Sequence, residues 1–285
     1  MTLVTTTIAV ANQKGGVAKT TTVASLGAAL VEQGQRVLLV DLDPQGSLTF
    51  SLGIDPEELD VTVGEVLLGT SPPVDSILVT EDGMHLMPSN ITLTQVEETL
   101  VTRTGREQRL RVALDKVAAD YDVIMIDCPP SLGVLTVGAL SAAQQVLIPL
   151  QAETLAHRGV GQLLDTIYDV KQSINSTLKI LGVLPTMYDG RTKHAQNVLA
   201  AIVETYGLTV IEPAIPKSIR FAEAPAIGRS VLATARSHKG AEAYRAVARG
   251  LVPAKKTPAK KTPAKKAATK RAVAKKSAPP KADRP

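Results

Sequence analysis

Residues 13–22 read QKGGVAKTTT, and an apolar run, TTIAVA, precedes them at positions 6–11. A strand, a glycine-rich turn and a helix in this order bind phosphate, because backbone N–H groups converge at the helix N-terminus. The stretch nearly matches the phosphate-loop pattern G-x-x-x-x-G-K-[ST], but Gln13 and Ala18 occupy the two glycine positions of that pattern. We therefore expect a nucleotide-binding loop of altered form, followed by a helix that begins near Lys19.

The residue types of this loop suit a nucleotide with a bound cation. Gly15 and Gly16 allow the backbone to curl around phosphate, and Lys19 would reach the outer phosphates. The hydroxyl of Thr20 would bind Mg²⁺. Ala18 is tolerated in place of glycine if its backbone is already right-handed and helical, since only a positive φ favours glycine there.

Five further apolar runs have the character of strands and alternate with segments of helical periodicity. They lie at 36–41, 85–88, 122–127, 145–150 and 179–186. After the first strand, Val23, Leu26 and Leu30 recur at helical spacing and Gly34 ends the helix, and residues 159–174 repeat this pattern. The alternation predicts an α/β fold, a doubly wound and mostly parallel sheet with right-handed crossover helices. Ligands bind at the carboxyl ends of the strands in this architecture.

Three aspartates stand at predicted strand ends. Asp41 and Asp43 lie two residues apart, so both carboxylates point to one side if the strand extends that far. Asp127 ends the apolar run DVIMID, where a carboxylate would hold Mg²⁺ directly or through water. Cys128 beside it is expected to be a small packing residue.

Composition excludes several kinds of chemistry. The chain has 285 residues, 44% of them hydrophobic, and its one cysteine excludes a disulfide framework, an iron–sulfur cluster and a cysteine-based zinc site. Its four histidines are dispersed without ligand spacing. The first residues lack the pattern of a signal peptide, and no apolar segment reaches the roughly 20 residues of a membrane span. We expect a soluble, cytoplasmic protein without metallohydrolase or serine-hydrolase chemistry.

Charge is distributed unevenly along the chain. Residues 251–285 carry 12 basic residues and one acid, in repeats such as PAKKT, whereas residues 1–250 have a net charge of −6. Recurring proline and the lack of large apolar residues predict that the basic segment is disordered. The sequence thus predicts one domain at 1–250 and a lysine-, alanine- and proline-rich tail at 251–285.

Four motifs in this order resemble those of a known family. KGGVAKT fits the pattern K-G-G-x-[GA]-K-[ST] of the ParA/MinD ATPases, and with LLVDLDPQGS, DCPPSLG and IRFAEAPAIG it is similar to the ParA/Soj branch. The resemblance covers nearly all of residues 5–250. It implies a P-loop NTPase fold, ATP and Mg²⁺ as cofactors, hydrolysis of ATP and an ATP-dependent homodimer.

The resemblance also implies roles for particular residues. Lys14 would cross the dimer interface to the partner's nucleotide, so Lys14→Ala is predicted to abolish ATP-dependent dimerisation. Asp43 would position the attacking water, and Asp41 would support the Mg²⁺ shell. The alternative for both, and more so for Asp41, is a structural acid that caps the strand end. The predicted catalytic residues are Lys14, Lys19 and Asp43, and the predicted metal residues are Thr20, Asp41 and Asp127. Predicted nucleotide contacts are Lys14, Gly15, Gly16, Val17, Ala18, Lys19, Thr20 and Thr21, with Pro216 and Ser218 near the adenine.

Two groups of basic residues are candidates for DNA binding. The resemblance places Arg191 and Arg220 among the family's DNA-contacting positions, and Lys193, Lys217 and Arg229 lie nearby in sequence. The alternative for this group is an ordinary solvated face. The tail offers a second, nucleotide-independent contact, for which we single out Lys255, Lys256, Lys260, Lys261, Lys265 and Lys266.

Three functions remain open from the sequence. The first is a nucleoid-associated partitioning ATPase that binds double-stranded DNA without sequence preference and is released by a ParB-like stimulatory partner. The second is a MinD-like ATPase that positions a protein cargo or a membrane assembly. The C-terminus lacks the apolar face of an amphipathic helix, so stable membrane anchoring is not expected. The third, a metabolic enzyme that phosphorylates a small acceptor, ranks last because no acceptor-binding insertion is visible.

Overall fold

The computed structural model describes residues 5–153 and 156–252, in which seven strands form one sheet. The strands are β1 (Thr6–Val10), β2 (Val37–Asp41), β3 (Leu78–Val79), β4 (His85–Met87), β5 (Val123–Asp127), β6 (Gln145–Leu150) and β7 (Lys179–Pro185). Their order is β3-β4-β2-β5-β1-β6-β7, and every pair is parallel except β3 with β4. The predicted α/β sheet is confirmed, with β3 as an antiparallel edge strand of two residues that sequence periodicity did not indicate.

Helices connect these strands in the described part of the chain. They are α1 (Lys19–Glu32), α2 (Ser47–Ser51), α3 (Val63–Leu68), α4 (Leu93–Val101), α5 (Arg109–Asp115), α6 (Val134–Ala142), α7 (Ala156–Ser173), α8 (Lys193–Tyr206), α9 (Arg220–Glu223), α10 (Val231–Thr234) and α11 (Lys239–Leu251). Short 3-10 turns occur at Pro56–Glu58, Pro73–Ser76, Arg106–Gln108, Ala118–Asp120 and Pro225–Ile227. Helix α1 begins at Lys19, as predicted, and the chain leaves it through Gly34, whose φ of +80° is costly for other residues.

Both faces of the sheet are buried, which explains why the central strands read as continuous apolar runs. In β5, Val123 and Met125 pack into the layer that contains α1 and α11. Ile124 and Ile126 point the other way, into the layer that contains α6 and α7. Burying both faces in this way is characteristic of a doubly wound fold.

The carboxyl edge of the sheet brings the predicted motifs together. Strand β5 lies between β1 and β2, with Val10 and Asp41 both paired in register with Asp127. The loop after β1 therefore begins beside the two aspartates that end the neighbouring strands. The sheet topology thus places the loop after β1 and the two strand-end aspartates, which come from separate stretches of sequence, next to one another.

The predictions for the basic tail lie outside the described residues. This applies to the predicted disorder from residue 253 onward and to the six lysines between 255 and 266. The last described helix, α11, ends at Leu251, next to the predicted domain boundary. None of the helices in the described parts of the chain is both long and apolar enough to cross a bilayer.

Candidate nucleotide-binding site

The loop between β1 and α1 is held at both of its ends by buried polar side chains. Asn12 accepts a hydrogen bond from Lys14 N at 2.9 Å and donates to Pro149 O at 2.7 Å. Further along, Val17 O accepts from the Thr186 hydroxyl at 2.9 Å. These contacts fix the loop to the ends of β6 and β7.

Two residues of the loop have left-handed backbones. Gly16 has φ +72°, and Ala18 has φ 64° and ψ 35°. The condition we set for Ala18, a right-handed helical backbone, is therefore not met. The chain must turn sharply at this point to present its amides at the start of α1, and it does so with an alanine at a cost of about 1 kcal/mol relative to glycine.

The N-terminus of α1 is open to an anion. Among the residues that the structure describes, no side chain caps it, and its first turn contains no acidic residue. Its first N–H groups therefore lack competing partners from this part of the chain. Lys19 is 7% exposed, and its ammonium donates to Lys14 O at 3.1 Å. Burial lowers the pKa of Lys19, against the opposing charges of Asp127 and Asp43. A phosphate here would meet a helix N-terminus and a desolvated cation together.

A cavity of about 540 Å³ lies in front of this loop. Its size is in the range of a nucleotide site, a few hundred to a thousand cubic ångströms. Its predicted members are Gly15, Gly16, Ala18, Lys19, Thr20, Thr21, Asp43, Pro216 and Ser218, and it is also lined by Ser47, Pro130, Met187, Ile215, Lys217, Phe221, Ala222 and Tyr244. Val17, Lys14, Asp41 and Asp127 are not among the lining residues; the Val17 side chain is buried.

Asp127 is a buried carboxylate without a hydrogen-bond partner. It is 1% exposed, and neither of its oxygens is bonded within the described residues. Burial raises the pKa of Asp127 well above its usual value, and the Asp41 charge raises it further, while the Lys19 charge opposes this. Leaving such a group unpaired is costly, so the site suits a cation.

The donor set at Asp127 fits Mg²⁺ that shares its ligands with a nucleotide. The described residues hold no group of three or more histidine, cysteine, aspartate or glutamate side chains that could bind a metal by themselves. Mg²⁺ commonly takes one or two protein oxygens and completes its shell with phosphate and water. Asp127 and Thr20 would hold the ion, which when bound would neutralise charge on the phosphates.

Asp41 is equally buried but fully bonded within the protein. Its Oδ2 accepts from the backbone N–H and the hydroxyl of Thr49 at 2.9 and 2.8 Å. Its Oδ1 accepts from Asp43 N at 3.1 Å. Burial, partly offset by these bonds, raises the pKa of Asp41 to about 6. This geometry favours the alternative stated for Asp41, a structural acid at a strand end.

Asp43 and Lys14 differ in their relation to the cavity. Asp43 lines the cavity, and its Oδ1 accepts from Gln45 N at 3.0 Å. The Lys14 ammonium instead forms an ion pair with Glu153 Oε2 at 2.5 Å. Sequence reasoning missed Glu153, although it lies just beyond the end of β6. It also missed Asn12, two residues after β1, and Thr186, directly after β7. Position near a strand end was a usable signal for all three.

The predicted adenine contacts line the cavity. Pro216 and Ser218 both line it, together with Met187, a residue with φ +48°. The Ser218 hydroxyl is bonded to His238 Nε2 at 3.1 Å and accepts from Arg220 N at 3.2 Å. The serine therefore shapes this wall while its hydroxyl already has protein partners.

Most of the predicted DNA-binding arginines are paired with acids. Arg191 forms two side-chain hydrogen bonds to Asp189, which hold the pKa of that carboxyl at about 2. Arg220 pairs with Glu223 at 2.7 Å. Arg229 contacts both Asp82 and Glu81, at 2.5 and 3.1 Å. No ion pair is found within the described residues for Lys193, which begins α8, or for Lys217, which lines the nucleotide cavity.

The fold and the site together define a P-loop ATPase, with a phosphate loop after β1, a strand-end aspartate at β5 and a nucleotide-sized cavity in front of the loop. The profile of the AAA domain family (AAA_31) matches residues 5–180. The chromosome partitioning protein ParA of Caulobacter vibrioides is 42% identical over 252 residues, 87% of this chain and 94% of the relative. The sporulation initiation inhibitor protein Soj of Bacillus subtilis is 42% identical over 243 residues, 85% and 96% of the two chains. The chain belongs to the ParA/Soj family of P-loop ATPases.

A solved structure bears on the cofactors. A Mycobacterium smegmatis protein described as cobyrinic acid a,c-diamide synthase, with a bound ATP analogue and magnesium, is 56% identical. It matches 87% of this chain and 94% of its own, with a TM-score of 0.79. The protein is thus an ATPase that uses ATP and Mg²⁺.

Proposed function

We propose that this protein is an ATP-driven switch for chromosome or plasmid partitioning. ATP and Mg²⁺ close a homodimer, the dimer binds double-stranded DNA without sequence preference, and hydrolysis releases it. The names of the Caulobacter and Bacillus relatives, a partitioning protein and a sporulation inhibitor, support this class of function. Family membership alone does not distinguish the cargo.

The position of Lys14 carries the proposal. Lys19 lines the nucleotide cavity of its own chain, whereas Lys14 lies outside that cavity with its side chain 34% exposed. A second cation at the mouth of a phosphate site, pointing away from the chain's own ligand, can serve a nucleotide held by another copy. In that position it would act in trans on the phosphates, as an arginine finger does.

DNA binding by the body requires a local patch, since residues 1–250 are net acidic. Lys193 and Lys217 are the cations of this patch without an ion pair in the described chain, and Arg191 and Arg220 would exchange a carboxylate for a phosphate. Arg229 is held by two acids and is left out of the proposed patch. A dimer would present two such patches, so binding would depend on ATP.

The basic tail would supply a second contact that does not depend on nucleotide. Neutralising about ten phosphates would give a slope near −9 in a plot of log affinity against log salt. A tail without aromatic residues has little means to read bases, so this binding is also nonspecific. The protein would therefore stay near the nucleoid, in the cytoplasm, after ATP is spent.

A ParB-like protein with a basic N-terminal segment is the proposed partner. Hydrolysis without it is expected to be slow, because the lifetime of the ATP dimer is the output of the switch. Rapid unstimulated turnover would contradict this part of the proposal.

The test is DNA binding across a salt series with ADP or a slowly hydrolysed ATP analogue. The full chain should bind in both states and more tightly with the analogue, and Lys14→Ala should remove the difference between nucleotides. Residues 1–252, which retain α11, should bind only with the analogue. If this shorter chain never binds and the full chain ignores the nucleotide, the switch acts on a protein cargo or membrane assembly instead.

A second candidate is amide synthesis on cobyrinic acid, which the 56% identity to the M. smegmatis protein favours. Release of ammonia from glutamine commonly needs a thiolate nucleophile. The one cysteine, Cys128, is 1% exposed, and burial raises the pKa of its thiol. This activity would therefore depend on free ammonia. ATP turnover that rises with cobyrinic acid and ammonium, and not with DNA, would support it.

A further inference from the structure

The segment that carries Asp43 is held together by hydrogen bonds to one buried side chain, that of Asp41. Asp41 stands at the start of this segment and Thr49 at its end, eight residues later. The Asp41 carboxylate accepts hydrogen bonds from two points of this segment. Asp43 N donates at 3.1 Å, and the backbone N–H and the hydroxyl of Thr49 donate at 2.9 and 2.8 Å. Residues 41–49 therefore form a loop tied across its ends, which we call the Asp43 loop.

The direction of the Thr49 hydroxyl is determined by its two neighbours. The hydroxyl accepts from Ser89 N at 3.0 Å, and a backbone N–H can only donate. Its single proton is therefore free to point at Asp41, which it reaches at 2.8 Å. Thr49 and Ser89 are fully buried, so water cannot substitute for either bond.

The same loop is pressed against the end of β4. Gly46 has φ +60°, and a Cβ at this position would lie 3.1 Å from Ser89 O. Ser89 thus contacts the loop twice, through its carbonyl near Gly46 and through its N–H at Thr49. Within the loop, Gln45 N and Gly46 N donate to the side chain and carbonyl of Asp43. The carboxylate of Asp43 is oriented by a turn that Thr49 and Ser89 support.

We propose that Thr49 is a positioning residue for ATP hydrolysis, which acts through Asp41 to hold the Asp43 loop against the nucleotide cavity. The inference rests on the proposed role of Asp43 in orienting the attacking water. Displacement of a catalytic group by an ångström costs about a hundredfold in rate. Loss of one of these hydrogen bonds should therefore lower the rate of ATP hydrolysis. Thr49 itself does not line the cavity and is not expected to contact ATP.

The test compares Thr49→Val with Thr49→Ser in the full chain. Valine keeps the shape of threonine but removes the bond to Asp41 and leaves Ser89 N without an acceptor. We expect Thr49→Val to lower kcat by about tenfold or more through misplacement of Asp43. The Kd for N-methylanthraniloyl-ATP should stay within threefold, and Thr49→Ser should keep kcat within threefold of the unchanged chain.

Hydrogen exchange gives a readout that does not depend on catalysis. In the nucleotide-free protein, the backbone N–H groups of Asp43 and of residues 45–48 should exchange at least tenfold faster in Thr49→Val than in Thr49→Ser. Thr80→Val is the matched control, because the Thr80 hydroxyl also bonds a backbone carbonyl and a backbone N–H, both of Met84. It should leave kcat and exchange at 43–48 unchanged.

The outcomes separate this inference from the proposed function. If Asp43→Ala abolishes hydrolysis but Thr49→Val retains normal kcat, the positioning role of Thr49 is wrong and that of Asp43 stands. If Asp43→Ala hydrolyses ATP normally, the premise fails. An equal loss of kcat in Thr49→Val and Thr80→Val would reduce the effect to general destabilisation and overturn the proposal. None of these measurements depends on DNA or on a partner.

Discussion

Asp41 and Asp127 are neighbours in register at the ends of β2 and β5, and both are almost completely buried. Their surroundings are opposite. The Asp41 carboxylate accepts three hydrogen bonds from its own chain. Both oxygens of Asp127 lack a partner within the described residues. Two identical side chains at adjacent strand ends therefore differ in the hydrogen-bond partners that the protein provides.

This difference separates groups that hold the fold from groups that await a ligand. A buried polar group without a partner is expensive, and proteins retain one where a ligand supplies the missing contact. Asp127 and the open N-terminus of α1 are of this second kind. The first kind comprises Asp41, Asn12 and Thr186, because the side chain of each forms a hydrogen bond with the backbone of the protein itself.

The largest expected loss of ATP hydrolysis is that caused by Asp127→Asn. The amide cannot hold a cation as the carboxylate does, so Mg²⁺-dependent ATP hydrolysis should fall by about a hundredfold or more. Removing a buried carboxylate should also raise the unfolding temperature of the nucleotide-free protein in EDTA by about 2–4 °C. Turnover assays and thermal unfolding measure the two effects. Retained Mg²⁺-dependent turnover would contradict the assignment of Asp127.

Asp41→Asn should change stability in the opposite direction. An asparagine can accept with one oxygen only, and its NH₂ would face either Asp43 N or the Thr49 donors. Unsatisfied donors of this kind cost about 1–3 kcal/mol, so thermal unfolding without nucleotide should occur at a lower temperature than in the unchanged chain. If both asparagine variants are stabilised, Asp41 is not the structural acid described here.

The sequence predicted the sheet because its central strands are buried on both faces and read as unbroken apolar runs. It also predicted the phosphate loop and the strand-end aspartates, since glycine, lysine and carboxylate positions are local features. It could not predict the backbone of Ala18 or the partners of Asp41. Thr49 carries no motif of its own, and it returns to Asp41 only because the turn at Gly46 folds the chain back.

Gly16 and Ala18 are two residues of the phosphate loop that share a left-handed backbone but differ in their side chains. Both have positive φ, which suits glycine and strains alanine. Ala18→Gly should therefore raise the free energy of unfolding by about 0.5–1 kcal/mol. This net gain is the backbone strain that glycine relieves, minus the cost of the greater conformational freedom that glycine gives to the unfolded chain. Denaturant unfolding of the nucleotide-free chain measures it, with Ala200→Gly in the exposed middle of α8 as a control that should destabilise. Destabilisation by both would show that Ala18 is not strained.

The two lysines of the phosphate loop, Lys14 and Lys19, also differ in their surroundings. Lys19 is desolvated and faces the nucleotide cavity, whereas Lys14 is held by Glu153 at 2.5 Å on the surface. If Lys14 serves a partner's nucleotide, it must leave Glu153 when the dimer forms. An exposed ion pair contributes about 0.2–1 kcal/mol, so Glu153→Gln should strengthen ATP-dependent dimerisation by about two- to fivefold.

Sedimentation with a slowly hydrolysed ATP analogue measures this shift, which should shrink at high salt because the ion pair is exposed. Glu98→Gln is the control, since Glu98 is an exposed acid on α4 for which the described residues show no ion pair. An equal shift in Glu98→Gln would attribute the effect to net charge. A weaker dimer in Glu153→Gln would mean that Glu153 stabilises the dimer itself, and that Lys14 keeps this partner while it contacts the second nucleotide.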